Sequence, residues 1–123
     1  MAISTIDPHR GEIRWVQLDP TRGAEIRYRR PTLVLNQDGI AILPLRLVVP
    51  ITDWHGGSRR RFWHVPIDPT PENGLTKPSC ADVFQTRGLD LARFESKIGR
   101  IPEDDIQRVL RALSLLTLMR SIP

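Results

Sequence analysis

The sequence predicts a mainly β domain, a small and strongly bent antiparallel sheet or barrel followed by one C-terminal helix. Three observations predict it. All eight glycines and nine of the eleven prolines lie in the first hundred residues and cut them into short segments. Several of those segments carry the β-branched and alternating residues of strands. Only the stretch after Pro102 escapes both breakers until the chain end, and its apolar residues fall at helical spacing.

The first strand is expected over 12–18, where Ile13 and Trp15 alternate with Arg14 and Val16. Residues 19–29 hold Pro20, Gly23 and several arginines and read as a long mobile loop. A second strand spans 32–35, with Pro31 permitted at its start. Asn36, Gln37, Asp38 and Gly39 form a turn. The third strand covers 45–52, and Pro50 within it suggests an edge position or a bulge. A second loop over 53–60 contains Gly56 and Gly57, and a fourth strand follows at 61–67. Residues 68–79 are dense in turn formers. A fifth strand is expected over 80–86 and a short sixth over 96–101. The helix spans 103–118, with Ile106, Val109, Leu110, Leu113 and Leu116 on one stripe. Glu103, Asp104 and Asp105 occupy its first turn and Arg120 lies near its end, as the helix dipole favours. Pro102 suits its first position.

At 123 residues the chain makes one domain, expected as a tail over 1–9 and a single domain over 10–123. Its apolar fraction of 40% and charged fraction of 26% are those of a soluble globular protein. The longest apolar candidate, 43–51, is broken by Pro44, Arg46 and Pro50, and the first residues lack a signal-peptide core, so a cytoplasmic protein away from membranes is expected. Cys80, the single cysteine, can form no intramolecular disulfide and reads as a small core residue. The net charge of +4 suits a polyanion, either nucleic acid or an acidic protein segment.

Metal chemistry is not expected, because His9, His55 and His64 are scattered and no ligand motif is present. Phosphate-loop, dinucleotide-binding and nucleophile-elbow patterns are likewise missing from the sequence. Basic residues stand out instead. Arg22, Arg27, Arg29 and Arg30 lie in or beside the first loop with Tyr28, and Arg59, Arg60 and Arg61 lie beside Trp54 and His55. Arginines with interleaved aromatics hold single-stranded nucleic acid by meeting phosphates and stacking bases. Loop charges alone mean a solvated surface just as readily.

Four ordered blocks resemble the MazF/PemK family of toxin ribonucleases: RGEIRWVQLDPTRGAEIRYRRPTLVLN, LPLRLVVPITDW, FWHVPIDPTPENGLTKPSCADVFQTR and KIGRIPEDDIQRVLRALSLL. The resemblance covers 10–118 and implies an SH3-like, PemK/CcdB-like antiparallel barrel with a C-terminal helix, assembled as a homodimer. It implies cleavage of single-stranded RNA at short sequences, without cofactor or metal, by the ribose 2′-hydroxyl. The products would be a 2′,3′-cyclic phosphate and a 5′-hydroxyl, and messenger RNA cleavage would stop translation. A cognate acidic antitoxin would cover the RNA groove.

By position, the family's catalytic arginine matches Arg30, before Pro31, and its hydroxyl residue matches Thr52, at the end of Pro-Ile-Thr. A fixed guanidinium gives two charge-assisted hydrogen bonds to the oxygens on which charge builds, so Arg30 reads as a transition-state clamp. A hydroxyl donates another bond or orients the phosphate. The general base is unassigned, with His64 and Glu25 as contributors to weigh against a packed histidine. The resemblance also assigns RNA contacts to Glu25, Gln85 and Arg87, and Trp54 either stacks a base or caps the barrel. Arg14, Phe84 and Gly88 depart from the family pattern along the groove and antitoxin surface. A gyrase-binding relative of CcdB type and a non-catalytic SH3-like module that binds nucleic acid or protein are the alternatives. Leu113, Leu115, Leu116, Leu118 and Met119 occupy more than one helix face, a surplus that a two-fold partner would cover.

Overall fold

The computed structural model describes residues 6–40, 43–54 and 61–118. His55, Gly56, Gly57, Arg59, Arg60, Met119 and Arg120, and the first five residues of the expected tail, lie outside the described residues. Seven strands are described: β1 Glu12–Gln17, β2 Arg29–Val34, β3 Leu45–Asp53, β4 His64–Ile67, β5 Ser79–Asp82, β6 Arg87–Asp90 and β7 Phe94–Arg100. The helix α1 is Glu103–Leu116. Single 3-10 turns occupy Asp38–Ile40, Val83–Gln85 and Leu91–Arg93.

The hydrogen-bonded order is β4-β5-β3-β2-β1-β7, with β6 also on β3, and each pair is antiparallel. The mainly antiparallel β class and the closing helix are as expected. The ladder is an open, bent sheet rather than a closed barrel, since β4 and β7 end the path.

The nine-residue β3 organises the bend. Its first half, Leu45 to Val48, pairs with β6, and Ile51 to Asp53 pair with β5. Pro50 falls at the hand-over between the two partners and faces Thr32 of β2 on the other side. The expected edge position is therefore corrected. β3 is a central strand, and its proline, which has no N–H to give a ladder, sits where one neighbour ends and the next begins. Pro66 lies in the edge strand β4.

Strand alternation places apolar residues on both sides of the β1–β2–β3 layer. Ile13, Leu33, Val49 and Ile51 pack in one core, covered by Ile106, Val109 and Ala112 of α1. Val16, Val34, Val48, Leu89 and Phe94 form the second. Leu110, Leu113 and Leu116 are partly buried against the first core, so the predicted helical stripe is the face that packs. The acidic first turn follows Pro102, which is the N-cap and offers no side-chain cap.

Several element boundaries differ from expectation. The fifth strand stops at Asp82 and gives way to the Val83–Gln85 turn, and β4 begins at His64 rather than at residue 61. β6 was not expected, since RGLD buries only Leu89 and carries no period-two signal. Part of the expected tail is also tied down. Arg46, only 8% exposed, donates from Nε to the Pro8 carbonyl at 2.9 Å and from Nη2 to Asp7 at 2.8 Å.

The turn-rich segment after β4 crosses β7 with almost no clearance. A Cβ on Gly99 would lie 2.3 Å from the Asn73 carbonyl, and one on Gly74, whose φ is +69°, would lie 2.2 Å from the Ile98 oxygen. Glycine at both positions lets the crossing close. Asn73 fixes its own loop by accepting from Thr70 and Leu75 and donating to Asp68. Among the described residues no helix is long and apolar enough to cross a membrane.

Candidate active-site cleft

The β2–β3 register pairs Val34 with Val48, Leu33 with Val49 and Thr32 with Pro50. Extended by two residues along each strand, the same register sets Arg30 opposite Thr52. Residues opposite each other in an antiparallel pair share a face. Beyond Thr32 the two strands are no longer paired, and a cleft of about 270 Å³ opens there, lined by Arg30 and Thr52. Trp15, Ser79, Ile98 and Lys77 complete much of its wall.

The cleft is lined by three cations, and two are already balanced. Arg29 lies 4.2 Å over the Trp15 ring and pairs with Glu95 at 2.6 Å. Lys77 pairs with Asp53 at 3.0 Å. Arg30 has no carboxylate partner among the described residues. Its Nε donates to the Arg27 carbonyl at 2.8 Å, which leaves the outer edge of the guanidinium fork for a ligand. A fork held by one nitrogen and open at two is preorganised for a phosphate.

Three comparisons with known proteins bear on this arrangement. The family model described as the PemK-like, MazF-like toxin of type II toxin-antitoxin systems matches residues 9–117. The endoribonuclease PemK of Escherichia coli is 32% identical over 112 residues, covering 89% of this chain and 82% of that protein. The crystal structure of MazF from Deinococcus radiodurans superposes with a TM-score of 0.76 at 25% identity, over 91% of this chain and 97% of that one. A MazE–MazF crystal structure from the same organism gives 0.70 at 26% identity, over 92% and 97%. The chain belongs to the PemK/MazF toxin family.

Not every residue assigned from the resemblance to this toxin family enters the Arg30 cleft. Glu25, Gln85 and Arg87 line a second cleft of about 440 Å³, with Phe84, Ile26 and Pro50. Pro50 stands two residues before Thr52 on β3, so the two clefts adjoin along that strand. Trp54 follows β3, donates its backbone N–H to the Pro78 carbonyl at 3.0 Å, and lines neither cleft. His64 lies 3.8 Å from Asp82 and faces a depression beside α1 with Arg108 and Arg111. It does not line the Arg30 cleft. Arg14 pairs with Glu12 at 2.8 Å, and both are largely buried.

The first loop is pinned rather than mobile. Leu18 donates to the Tyr28 carbonyl at 3.0 Å, and the Tyr28 N–H is accepted by Asp19 at 3.1 Å. Tyr28 itself sits at φ +71°, a left-handed conformation that costs a residue with a side chain on the order of 1–3 kcal/mol unless its surroundings hold it.

Ionisable groups behind the site are shifted by burial. The Cys80 thiol, opposite Thr52 in the β3–β5 register, is pushed up to about 11 by burial and by the nearby Asp82 and Asp53 carboxylates. It stays protonated at neutral pH, where the thiol is a poor nucleophile. Burial also raises Asp82, against the opposing pull of His64.

Reasoning from sequence missed Lys77, Asp53, Trp15 and Ser79 as cleft residues. Lys77 ends a loop with no periodicity and Ser79 opens β5, and both reach the cleft through Asp53 of β3, which pairs with Ser79 in the ladder and with the Lys77 ammonium. Trp15 lies opposite Pro31, next to Arg30, a cross-strand placement with no local sequence signal.

Proposed function

We propose that this chain is the toxin of a toxin–antitoxin system and cleaves single-stranded RNA. The observation that carries this reading is the convergence of Arg30 and Thr52, from two strands, on one open cleft. The ribose 2′-oxygen attacks the adjacent phosphorus and the 5′-oxygen leaves, giving a 2′,3′-cyclic phosphate and a 5′-hydroxyl. Negative charge builds on the non-bridging oxygens as the attack proceeds. The free fork of Arg30 donates two hydrogen bonds to that charge, and the Thr52 hydroxyl donates a third or orients the phosphate. Removing one such donor typically costs a hundredfold or more in rate. Arg30 serves as a fixed donor to that charge and not as a proton carrier.

No metal ion has a step in this scheme. The Arg87 and Glu25 cleft next along β3 holds the flanking nucleotide, with Phe84 as a stacking surface. The basic net charge favours RNA and an acidic antitoxin segment alike. The protein works in the cytoplasm as a homodimer. Phe62, Leu115 and Leu118 are 53%, 54% and 84% exposed, and a second copy covers this apolar surplus.

The test is to incubate single-stranded RNA with the protein in EDTA and sequence the 5′-hydroxyl ends. Defined cut sites that vanish for Arg30→Ala support the reading. Intact RNA, or cleavage abolished by the chelator, refutes it.

A further inference from the structure

The amide of Gln85 bridges the first loop to the sheet. Its Oε1 accepts the Ile26 N–H at 3.2 Å and its Nε2 donates to the Ala24 carbonyl at 3.1 Å. The two partners fix the orientation of the amide, since the reverse would set N–H against N–H and oxygen against oxygen. Gln85 itself ends the Val83–Gln85 turn, whose Val83 is fully buried and donates its N–H to the Trp63 carbonyl at 3.0 Å. One end of the bridge is therefore rigid.

The other end leads to the cleft. The Ala24–Ile26 segment runs directly into Arg27, whose carbonyl holds the Arg30 Nε at 2.8 Å. Between Arg27 and Arg30 lies Tyr28 in its left-handed conformation, which the Leu18 and Asp19 bonds maintain. The loop is thus fixed at its base by Leu18 and Asp19 and along its length by Gln85. The Asp19 bond sets the plane of the Arg27–Tyr28 peptide, and the Gln85 bonds set the course of the chain that enters it.

We propose that Gln85 is a positioning residue for RNA cleavage, latching the first loop so that the Arg27 carbonyl aims the Arg30 guanidinium into the cleft. This rests on the assignment of Arg30 to cleavage and adds a residue that acts through it. A misplacement of about 1 Å at a reacting centre costs on the order of a hundredfold in rate. Loss of the latch therefore lowers turnover more than it weakens substrate binding.

The experiment compares Gln85→Leu, Gln85→Glu and Arg30→Ala by steady-state cleavage of a short RNA and by mapping cut sites in a long one. Gln85→Glu is isosteric, keeps the acceptor for Ile26 and turns an oxygen toward the Ala24 carbonyl, so it tests the latch without a packing change. The latch predicts that both Gln85 variants lose on the order of tenfold to a hundredfold in kcat. KM should rise by a smaller factor than kcat falls, and the cut sites should be unchanged. Nitrogen-15 spectra should show the Arg30 Nε–H losing its hydrogen-bonded position. Altered cut sites with kcat retained would make Gln85 a base reader and overturn the latch. Wild-type kcat in both variants would overturn it as well. Arg30→Ala separates the two levels: if that variant still cleaves, the reading of the cleft fails, and with it the latch.

Discussion

Arg29 and Arg30 are successive residues of β2 whose guanidinium groups have opposite surroundings. Arg29 is stacked over Trp15 at 4.2 Å and paired with Glu95 at 2.6 Å, whereas Arg30 is steadied only by the Arg27 carbonyl at 2.8 Å. Both line the same cleft, so it is their partners that separate a cation that packs from a cation left free to bind.

The two arginines should therefore fail differently when truncated. Arg30→Ala should lose on the order of a hundredfold or more in cleavage rate with its unfolding midpoint preserved. Arg29→Ala should lose less activity and more stability, about 0.5–1 kcal/mol from the stacked cation at an exposed site. Urea titrations and cleavage rates on the same preparations check both, and a reversed pattern would show that the wrong arginine has been assigned to the phosphate.

Much of this was legible in the sequence because the signals are local. Pro20, Gly23, Pro69, Pro71, Gly74 and Pro78 marked loops, and the stripe from Ile106 to Leu116 marked the helix face that packs. The short β6 and the turn at Val83–Gln85 were not legible, since neither has a period of its own and both exist by pairing or packing with distant residues. The meeting of Arg30 and Thr52 in one cleft became visible only with the β2–β3 pairing, which joins residues about twenty apart and ends beside them. The engagement of Gln85 depends on partners 59 and 61 residues away, beyond any local pattern.

The crossing of the 68–78 loop over β7 offers a test of packing. Gly99→Ala would set a methyl group 2.3 Å from the Asn73 backbone and 2.5 Å from the Glu72 oxygen. Overpacking of this kind typically costs about 1–3 kcal/mol. The same displacement carries Lys77 away from the cleft, so cleavage should weaken along with the urea midpoint. A variant as stable as the parent would contradict so close a crossing.

Acid sensitivity should come partly from the helix start. The Glu103 carboxyl is held down to about 2 from its usual 4.5 by hydrogen bonds from Arg10 and then Gln107, with the Arg10 charge adding to them. Its pKa is lower in the folded than in the unfolded state, so its contribution is complete above about 4.5 and is lost as the pH falls toward 2. Glu103→Gln should flatten the fall in stability across that window, and added salt should shrink the difference, because the pair is exposed. Thermal melts of both proteins across the window check the sign, and an unchanged slope would remove Glu103 from the account.

The most direct measurement of the central claim is a double-mutant cycle on the rate of RNA cleavage with Arg30→Ala, Thr52→Ala and the two combined. Groups that act on one phosphodiester in one step fail together, so the combined variant should be little slower than the worse single variant. Losses that multiply independently, or a combined variant that still cuts at the parental rate, would contradict the claim that Arg30 and Thr52 serve a single scissile phosphate.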